Sequence, residues 1–290
     1  MDEKNRNEHL KVLEEEAIEL IRSVCFVNDL DKICCFYSIG KDSSVLLHLF
    51  KKAFYPLPVP VRFMHIDTGY KFKEMYEFRE KVAKQIDLVV YKHSACLNPF
   101  TDGSRYTDVM KTEALKEAVK KYGIKIAFGG ARREEEKSRA KERMISIRNS
   151  HSKWDPRSQN PEISPFYNPF YSDETSLRVF PLSNWTELDI WEYIRQENIE
   201  IVPIYFSHQR RVVQNDGLLI ATENETGELK TVRFRTLGCY ALTGAIESYA
   251  SSLDEIIEEL KNVEYTERIT RAIDYDVDGS MEIKKKDGYF

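Results

Sequence analysis

The stretch that decides the fold runs from an apolar segment into a small polar loop: Ile33-Cys34-Cys35-Phe36-Tyr37-Ser38-Ile39-Gly40-Lys41-Asp42-Ser43. Residues 33–37 predict a short buried strand, and the apolar spacing over 44–54 predicts a helix. Glycine, lysine and two serines therefore stand between a strand and a helix. Because the first amide groups of a helix have no partner within it, a loop at this position can bind an anion.

The side chains of this loop suit a phosphate group. Gly40 lets the backbone approach an anion closely or adopt a positive φ angle. Ser38 and Ser43 offer hydroxyl donors, and Lys41 adds a positive charge. Asp42 repels phosphate, so we expect it to orient the loop or to hold Mg²⁺ through water. The Walker A and dinucleotide-binding patterns are absent, and a plain strand-to-helix turn is the alternative interpretation.

Strands and helices alternate through the first half of the sequence. The expected elements are a helix over 7–24, strands over 61–66, 88–91 and 124–128, and helices over 72–85 and 108–122. Near-continuously apolar strands joined by helices predict an α/β fold, a parallel sheet with helices on both faces. Ligands of such sheets collect beyond the carboxyl ends of the strands. The loops after residues 37, 66 and 128 are therefore expected to form one pocket.

The second half is less regular. Residues 151–176 are rich in proline, asparagine and aromatic side chains without a period, which predicts a long loop. A strand over 177–182 follows, and Asn184-Trp185-Thr186-Glu187 resembles a capping box that opens a helix over 188–197. Residues 205–240 indicate irregular and β-rich structure.

A further helix is expected over 252–262. We divide the chain into a nucleotide-binding α/β domain over 1–200, which includes the N-terminal helix, and an irregular C-terminal extension over 201–290. The extension is expected to pack on the core or to contact a partner.

Composition excludes several classes of protein. The 290 residues carry a net charge of −5 and 42% hydrophobic side chains, as is usual for a globular protein without a nucleic-acid-binding face. No apolar run approaches the roughly 20 residues that span a bilayer. The N-terminus has no apolar signal region, so a cytoplasmic location is expected. The five cysteines form no C-x-x-C pair, which indicates neither a disulfide framework nor a thiolate zinc site.

Four arginines follow the fourth predicted strand: Arg132, Arg133, Arg139 and Arg143. If this segment were one helix, Arg132, Arg139 and Arg143 would share a face, and a solvated, salt-bridged helix is the alternative interpretation. The segment begins at Gly129-Gly130 on the expected ligand edge. Because guanidinium groups bind tetrahedral oxyanions with fixed geometry, we expect a second anion here.

Other polar residues are less informative. Asp67 ends the second strand beside the loop; it could contact a ribose or help with Mg²⁺, or it could cap the next helix. The histidines show no metal-ligand spacing. Cys34, Cys35, Trp185 and Trp191 are interpreted as core residues.

The pattern Ser38-x-Gly40-x-Asp42-Ser43 is similar to the fingerprint of the PP-loop ATP pyrophosphatases. That family joins acyl, phosphate or sulfate groups to AMP, expels pyrophosphate and has an adenine nucleotide alpha-hydrolase-like fold. Further segments resemble the small catalytic subunits of bacterial ATP sulfurylases: His65–Phe72, Phe128–Arg139, Arg178–Thr186, Phe234–Cys239 and Gly288–Phe290. The resemblance runs along nearly the whole chain. The loop departs from the commoner form only at Ile39, an apolar position.

The resemblance implies that ATP and sulfate are converted into adenosine 5′-phosphosulfate and pyrophosphate, with Mg²⁺. It also implies a heterodimer with a larger GTPase subunit whose GTP hydrolysis drives the reaction, since this sequence has no GTPase loop. Lys41, Arg132 and Arg133 are the expected catalytic residues, and the four arginines are candidates for contact with sulfate or pyrophosphate. The expected ATP-binding residues are Ser38, Gly40, Lys41, Asp42, Ser43, Asp67, Gly129 and Gly130, with Asp42 the candidate for the metal.

The sequence leaves two alternatives to this function. Adenylylsulfate and phosphoadenylylsulfate reductases share the loop and fold, but they resemble one another in a C-terminal Glu-Cys-Gly-x-His motif. Here the tail over 284–290 has no cysteine, and Cys239, the last thiol, lacks a neighbouring histidine. A non-catalytic nucleotide-binding subunit is the other alternative, and the intact Lys41, Asp42 and Ser43 argue against it.

Overall fold

A computed structural model describes residues 3–163, 168–215, 217–223 and 227–262 together with Glu267. The tail segment over 284–290 lies outside the described residues. In the first half, helices and strands alternate as predicted. The elements are α1 (Glu3–Val27), β1 (Ile33–Phe36), α2 (Lys41–Phe54), β2 (Arg62–Asp67), α3 (Lys73–Ala83), β3 (Leu88–Lys92), α4 (Gly103–Thr107), a π-helical segment (Asp108–Glu113), α5 (Ala114–Lys121) and β4 (Ile126–Phe128).

The second half contributes the edge of the sheet and a separate set of strands. Its elements are α6 (Lys137–Ala140), β5 (Ile145–Arg148), β6 (Ser176–Val179), α7 (Glu187–Gln196), β7 (His208–Asn215), β8 (Leu218–Ala221), β9 (Glu228–Arg233), β10 (Gly244–Glu247) and α8 (Leu253–Lys261). Between β5 and β6 the described residues hold only a short 3₁₀ turn over Pro156–Ser158 and an isolated bridge at Trp154. The prediction of a long loop there is confirmed for those residues.

The main sheet has the strand order β3-β2-β1-β4-β6-β5. All neighbours run parallel except β5, which pairs antiparallel with β6 at the edge. The predicted α/β fold with a parallel sheet is confirmed. Strand β5 was not predicted, because its four residues include only two apolar side chains and follow a charged segment.

Both faces of the sheet are covered, as expected for near-continuously apolar strands. Successive residues of β1 point to opposite faces, and Cys34 and Cys35 are buried in different apolar clusters. The Cys35 cluster includes side chains of α1 and α2, and the Cys34 cluster includes Ala118 of α5. Burial raises the pKa of the Cys34 thiol to about 12. Trp185 and Trp191 are also buried, so the interpretation of these four residues as core is confirmed.

The arginine-rich segment is not one helix. It consists of a 3₁₀ turn over Arg133–Glu135 and the single turn of α6. Glu136 separates them, because its backbone is extended (φ −165°, ψ 161°). Arg132 and Arg139 are therefore buried while Arg143 is exposed, and the expectation that the three share one helical face is wrong.

The capping box of α7 lies two residues later than predicted. Thr186 is the N-cap: its hydroxyl accepts from the amide of Asp189, and the Asp189 carboxylate accepts from the amide of Thr186. The amide side chain of Asn184, which was predicted to open the box, instead contacts Arg133 and Glu16.

Strands β7 to β10 close into a small antiparallel barrel with the order β10-β8-β7-β9. Val212, Val232 and Ala245 of this barrel belong to the same buried cluster as α1 and α2. The barrel thus packs on the α/β core. The predicted β-rich character of 205–240 is confirmed, whereas the division at residue 200 stays a prediction.

Candidate functional site

A cavity of about 290 Å³ lies at the carboxyl edge of the sheet. Segments that follow β1, β2 and β4 line it, together with residues 237–243. The three predicted loops therefore do meet. The predicted site residues that line the cavity are Ser38, Asp42, Ser43, Gly129, Gly130 and Arg139. Those outside its lining are Gly40, Lys41, Asp67, Arg132, Arg133 and Arg143.

The loop after β1 turns directly into helix α2. The helix begins at Lys41, three residues before the predicted start, and its first backbone bond runs from the Ser44 amide to the Gly40 carbonyl. The Ser43 hydroxyl also donates to that carbonyl at 2.9 Å, and Ser38 Oγ lies 3.2 Å from Ser43 Oγ. The first turn of α2 therefore borders the cavity, as an anion site requires.

The positive φ angle in this loop falls on Ile39 rather than on Gly40. Ile39 has φ 72°, whereas Gly40 is extended with φ −74° and ψ 167°. A left-handed conformation costs a β-branched residue about 1–2 kcal/mol, and the full burial of the Ile39 side chain offsets part of that cost. The close-approach role that we expected of Gly40 belongs more clearly to Gly130. A Cβ there would lie 3.2 Å from two atoms of Asp42.

Two buried cations lie behind the first turn of α2. The Lys41 ammonium contacts Glu267 and lies 3.2 Å from an Asp42 oxygen. Arg132 donates from Nε to Asp42 at 2.7 Å and from Nη2 to Glu267 at 2.6 Å. Burial alone lowers the pKa of both cations, but the carboxylates of Asp42 and Glu267 outweigh it and hold both pKa values above their ordinary range. Both groups therefore stay charged in the absence of ligand.

Glu267 contacts both cations and also lines the cavity. Its side chain is buried, whereas Lys41 and Arg132 are not part of the cavity lining. Sequence reasoning missed Glu267, because a single glutamate that lies 226 residues from its lysine partner has no local pattern. The Glu267 carboxylate bridges the two cations.

Three further residues support the loop from behind. The Lys41 amide donates to the Tyr205 hydroxyl at 2.8 Å, so Tyr205 satisfies one of the open amides of α2. Arg235 donates to Glu187 at 2.6 Å. Burial raises the pKa of Glu187, but Lys41 and Arg235 outweigh it and the net pKa is lowered. The segment around Arg235 carried a family resemblance, but nothing in its local pattern assigned it a role.

The remaining predicted residues are divided between the cavity and the surface. Arg139 is buried, lines the cavity and pairs with Glu136. Arg133 is turned toward Asn184 and Glu162, away from the cavity lining.

Asp67 is hydrogen-bonded by residues that are close to it in the sequence. Its carboxylate accepts from the Gly69 amide at 2.8 Å, from Tyr76 Oη at 3.2 Å and from Arg79 at 2.9 Å. Burial raises the pKa of Asp67, but the bonds from Gly69 and Arg79 outweigh it, so the net pKa is lowered. These contacts order the turn after β2, and contact with a nucleotide stays a prediction.

Apolar side chains also line the cavity. They come from several elements: Phe36, Met64, Ile66, Leu115, Leu237 and Leu242. The charged side chains of Lys71 and Lys111 belong to the same lining. A lining that combines charged groups with apolar walls suits a nucleotide, whose phosphates and base differ in the same way.

Asp42 is the predicted candidate for the metal, and Asp67 was the other carboxylate that could help with Mg²⁺. Within the described parts of the chain, no group of three or more His, Cys, Asp or Glu side chains could hold a metal ion. Asp42 lines the cavity, but its two oxygens already accept from Arg132 and Lys41. Its position therefore fits a magnesium ion that arrives with phosphate oxygens and keeps its waters, rather than one held by protein alone.

Known proteins with similar sequences indicate the family of this chain. The family profile of the phosphoadenosine phosphosulfate reductase domain matches residues 32–245. Sulfate adenylyltransferase subunit 2 of Aliivibrio fischeri MJ11 is 54% identical over 305 aligned positions, covering 100% of both chains. Subunit 2 of Vibrio cholerae O395 is also 54% identical and covers 99% of this chain and 100% of its own. No helix among the described residues is long and apolar enough to cross a membrane.

Among solved structures, FMN adenylyltransferase of Candida glabrata in complex with FAD and pyrophosphate has a TM-score of 0.51. It is 14% identical and covers 94% of this chain and 92% of its own. This likeness concerns the fold alone. The profile and the full-length relatives together show that the chain belongs to the sulfate adenylyltransferase subunit 2 family of nucleotidyltransferases.

Proposed function

We propose that this chain transfers the AMP group of ATP to sulfate and releases pyrophosphate. One observation carries the proposal: the buried cations Lys41 and Arg132 stand at the first turn of α2, which borders a cavity with apolar as well as charged lining residues. The names of the full-length relatives support it. The apolar walls would take the adenine, and the charged end would take the phosphates.

The chemistry is a displacement at phosphorus. A sulfate oxygen forms a bond to the α-phosphorus of ATP, the bond from that phosphorus to the bridging oxygen breaks, and the electron pair leaves with pyrophosphate. Sulfate is a weak nucleophile, so the protein accelerates the reaction by positioning two anions and by stabilising charge. No acid–base residue is needed, because sulfate is already ionised.

We assign the charged groups at the site the following roles in this reaction. Lys41, Arg132 and the first amides of α2 stabilise the departing pyrophosphate, and Asp42 meets Mg²⁺ through water. Arg139 is the best placed of the four arginines to hold sulfate, because its side chain lines the cavity. The assignments of Arg133 and Arg143 to sulfate stay predictions without geometric support.

A larger GTPase partner would drive the synthesis. The product is a mixed phosphate–sulfate anhydride, so the equilibrium opposes its formation. The relatives are named subunit 2, which supports a companion subunit. Synthesis measured with GTP and a candidate large subunit should exceed synthesis by this chain alone, and equal rates in the two assays would contradict the coupling.

An isotope-exchange assay tests the function itself. Exchange of labelled pyrophosphate into ATP should require sulfate, and Arg132→Ala should lower the rate at least about 100-fold, as the loss of a charged transition-state contact does. Arg62→Ala is the matched control, because Arg62 is a half-buried arginine on β2 outside the cavity lining. Exchange that needs no sulfate, or an unchanged rate for Arg132→Ala, would refute the proposal.

A further inference from the structure

His65 has a fixed tautomer. It lies on β2 with 1% of its surface exposed, and its Nδ1 is 2.8 Å from the carbonyl oxygen of Tyr37. A carbonyl oxygen only accepts, so Nδ1 carries the proton and donates. Burial, with a smaller contribution from Lys71, lowers the pKa of the ring to about 3. The ring is therefore neutral in ordinary buffers, and Nε2 presents a lone pair.

This lone pair has no protein partner among the described residues, and the residue that carries it lines the cavity. Within the described part of the chain, Nε2 of His65 has no hydrogen-bond partner, and neither does the buried hydroxyl of Thr68, three residues later. Both residues line the cavity. Buried polar atoms are paired in most proteins, so two open ones in the wall of a cavity indicate groups that a ligand completes.

The chemistry of Nε2 restricts which part of a ligand it can meet. Ionised phosphate and sulfate oxygens only accept hydrogen bonds, and they would repel a lone pair. The nucleoside of ATP carries donors: the 6-amino group of adenine and the two ribose hydroxyls. His65 also lines the same cavity as apolar residues such as Met64 and Ile66, against which the base would lie.

We propose that Nε2 of His65 accepts a hydrogen bond from a donor group of the ATP nucleoside and thereby selects the nucleotide. The proposal rests on the proposed use of ATP and adds a residue that reads its nucleoside. If the donor is the 6-amino group, GTP is disfavoured, because guanine presents an acceptor at the same ring position.

The test measures binding rather than turnover. Dissociation constants are obtained by calorimetry, without sulfate or partner, for ATP and three analogues: purine riboside triphosphate, 2′-deoxy-ATP and 3′-deoxy-ATP. The unaltered protein should bind one analogue about tenfold more weakly than ATP, equal to about 1.4 kcal/mol. Equal affinity for all four ligands would overturn the proposal, and this arm needs no variant.

The variant His65→Asn supplies the second arm. Its amide nitrogen can still donate to the Tyr37 carbonyl, but it has no acceptor at the position of Nε2. It should bind ATP about tenfold more weakly and bind the sensitive analogue as the parent does. A uniform loss for all four ligands would show a structural role only and would overturn the proposal.

Different results would refute the proposed reaction and the proposed role of His65. If the exchange does not depend on sulfate but one analogue still binds more weakly than ATP, the adenylyl transfer to sulfate is refuted. The role of His65 in recognising the nucleoside then stands. Sulfate-dependent exchange with four equal affinities refutes the role of His65 alone.

Discussion

Individual side chains around the cavity are held in fixed ionisation states by their neighbours. Lys41 and Arg132 keep their charge because two carboxylates outweigh the effect of burial on their pKa values. His65 has the opposite environment, since it is buried beside a backbone carbonyl and is not paired with a carboxylate. The two cations next to the cavity thus stay charged, whereas the His65 ring stays neutral.

The histidine gives a pH dependence of stability with a definite sign. The pKa of His65 is about 3 in the folded protein and about 6.5 in the unfolded chain. Below pH 6.5 the unfolded state binds a proton that the folded state excludes, so stability falls as pH falls. Between pH 7.5 and 5 this group should remove about 2 kcal/mol from the free energy of unfolding.

Urea unfolding at the two pH values measures the effect. The pH-dependent loss of stability in His65→Asn should be about 2 kcal/mol smaller than in the parent. His151→Asn, a change of an exposed loop histidine, is the control and should match the parent. Equal losses in His65→Asn and the parent would contradict the prediction.

At the scale of elements, the site depends on two loops that touch. The segment after β4 reaches the first turn of α2 at Gly130, where a Cβ would lie 3.2 Å from the backbone carbon and the Cβ of Asp42. Neither atom belongs to a side-chain end that could swing away. The same contact positions Asp42 for its bond with Arg132.

Gly130→Ala should therefore separate the two loops. We expect a loss of about 1–3 kcal/mol in stability, as overpacking causes, and at least tenfold weaker ATP binding in calorimetry. Gly217→Ala is the control: Gly217 has φ +79° and no atom within 4 Å of its Cβ position, so it should cost about 1 kcal/mol without changing ATP affinity. Unchanged ATP binding by Gly130→Ala would rule out this role of the contact.

The edge strand β5 is anchored by a buried ion pair. Arg148 contacts Glu142, and both side chains are almost fully buried. Burial lowers the pKa of Arg148, and Glu142 partly restores it. The neighbouring Arg178 has a pKa lowered to about 10, through burial first and the charge of Arg148 second. An excess of buried positive charge therefore makes Glu142 important for stability.

Glu142→Leu should cost about 3–5 kcal/mol, because it leaves Arg148 buried without its carboxylate. The double variant Glu142→Leu with Arg148→Met should lose less than the single variant, since both charges are then removed. The free energies of unfolding of the parent, of Glu142→Leu, of Arg148→Met and of the double variant form a double-mutant cycle, and chemical unfolding measures them. A double variant whose loss equals the sum of the two single losses would disprove the coupling.

At the scale of the whole molecule, one carboxylate from far along the chain pairs with the two cations at the start of α2. Glu267 contacts Lys41 and Arg132 and lines the cavity. If pyrophosphate binds these two cations as we propose, it must replace this carboxylate.

Glu267→Gln should therefore bind inorganic pyrophosphate more tightly, by about tenfold or about 1.4 kcal/mol in calorimetry. The glutamine keeps the size of the side chain but removes the competing charge. Glu200→Gln, which alters an exposed partner of Lys81, makes the same change in net charge away from the site and should have no effect. Weaker binding by Glu267→Gln would mean that the carboxylate assists the ligand rather than competing with it.

The local pattern of the sequence was sufficient to predict much of the fold. The order of strands and helices, the buried β1, the loop into α2 and the glycines after β4 all follow from periodicity and turn chemistry within short windows. Strand β5 and the break at Glu136 were not predictable in this way. The first is an edge strand specified by pairing with β6, and the second is an extended residue in a segment without glycine or proline.

The sequence by itself determined that a loop of glycine, lysine and serine residues leads from β1 into α2, and that the loops after β1, β2 and β4 share one edge. Only the tertiary structure decided that Arg132 and Arg139 turn inward while Arg133 and Arg143 do not. It also decided that Glu267 faces Lys41 and that His65, whose Nε2 has no partner among the described residues, lines the cavity. The reason is physical: periodicity and caps depend on neighbours within a few residues, whereas charge pairing and burial depend on segments that meet only after folding.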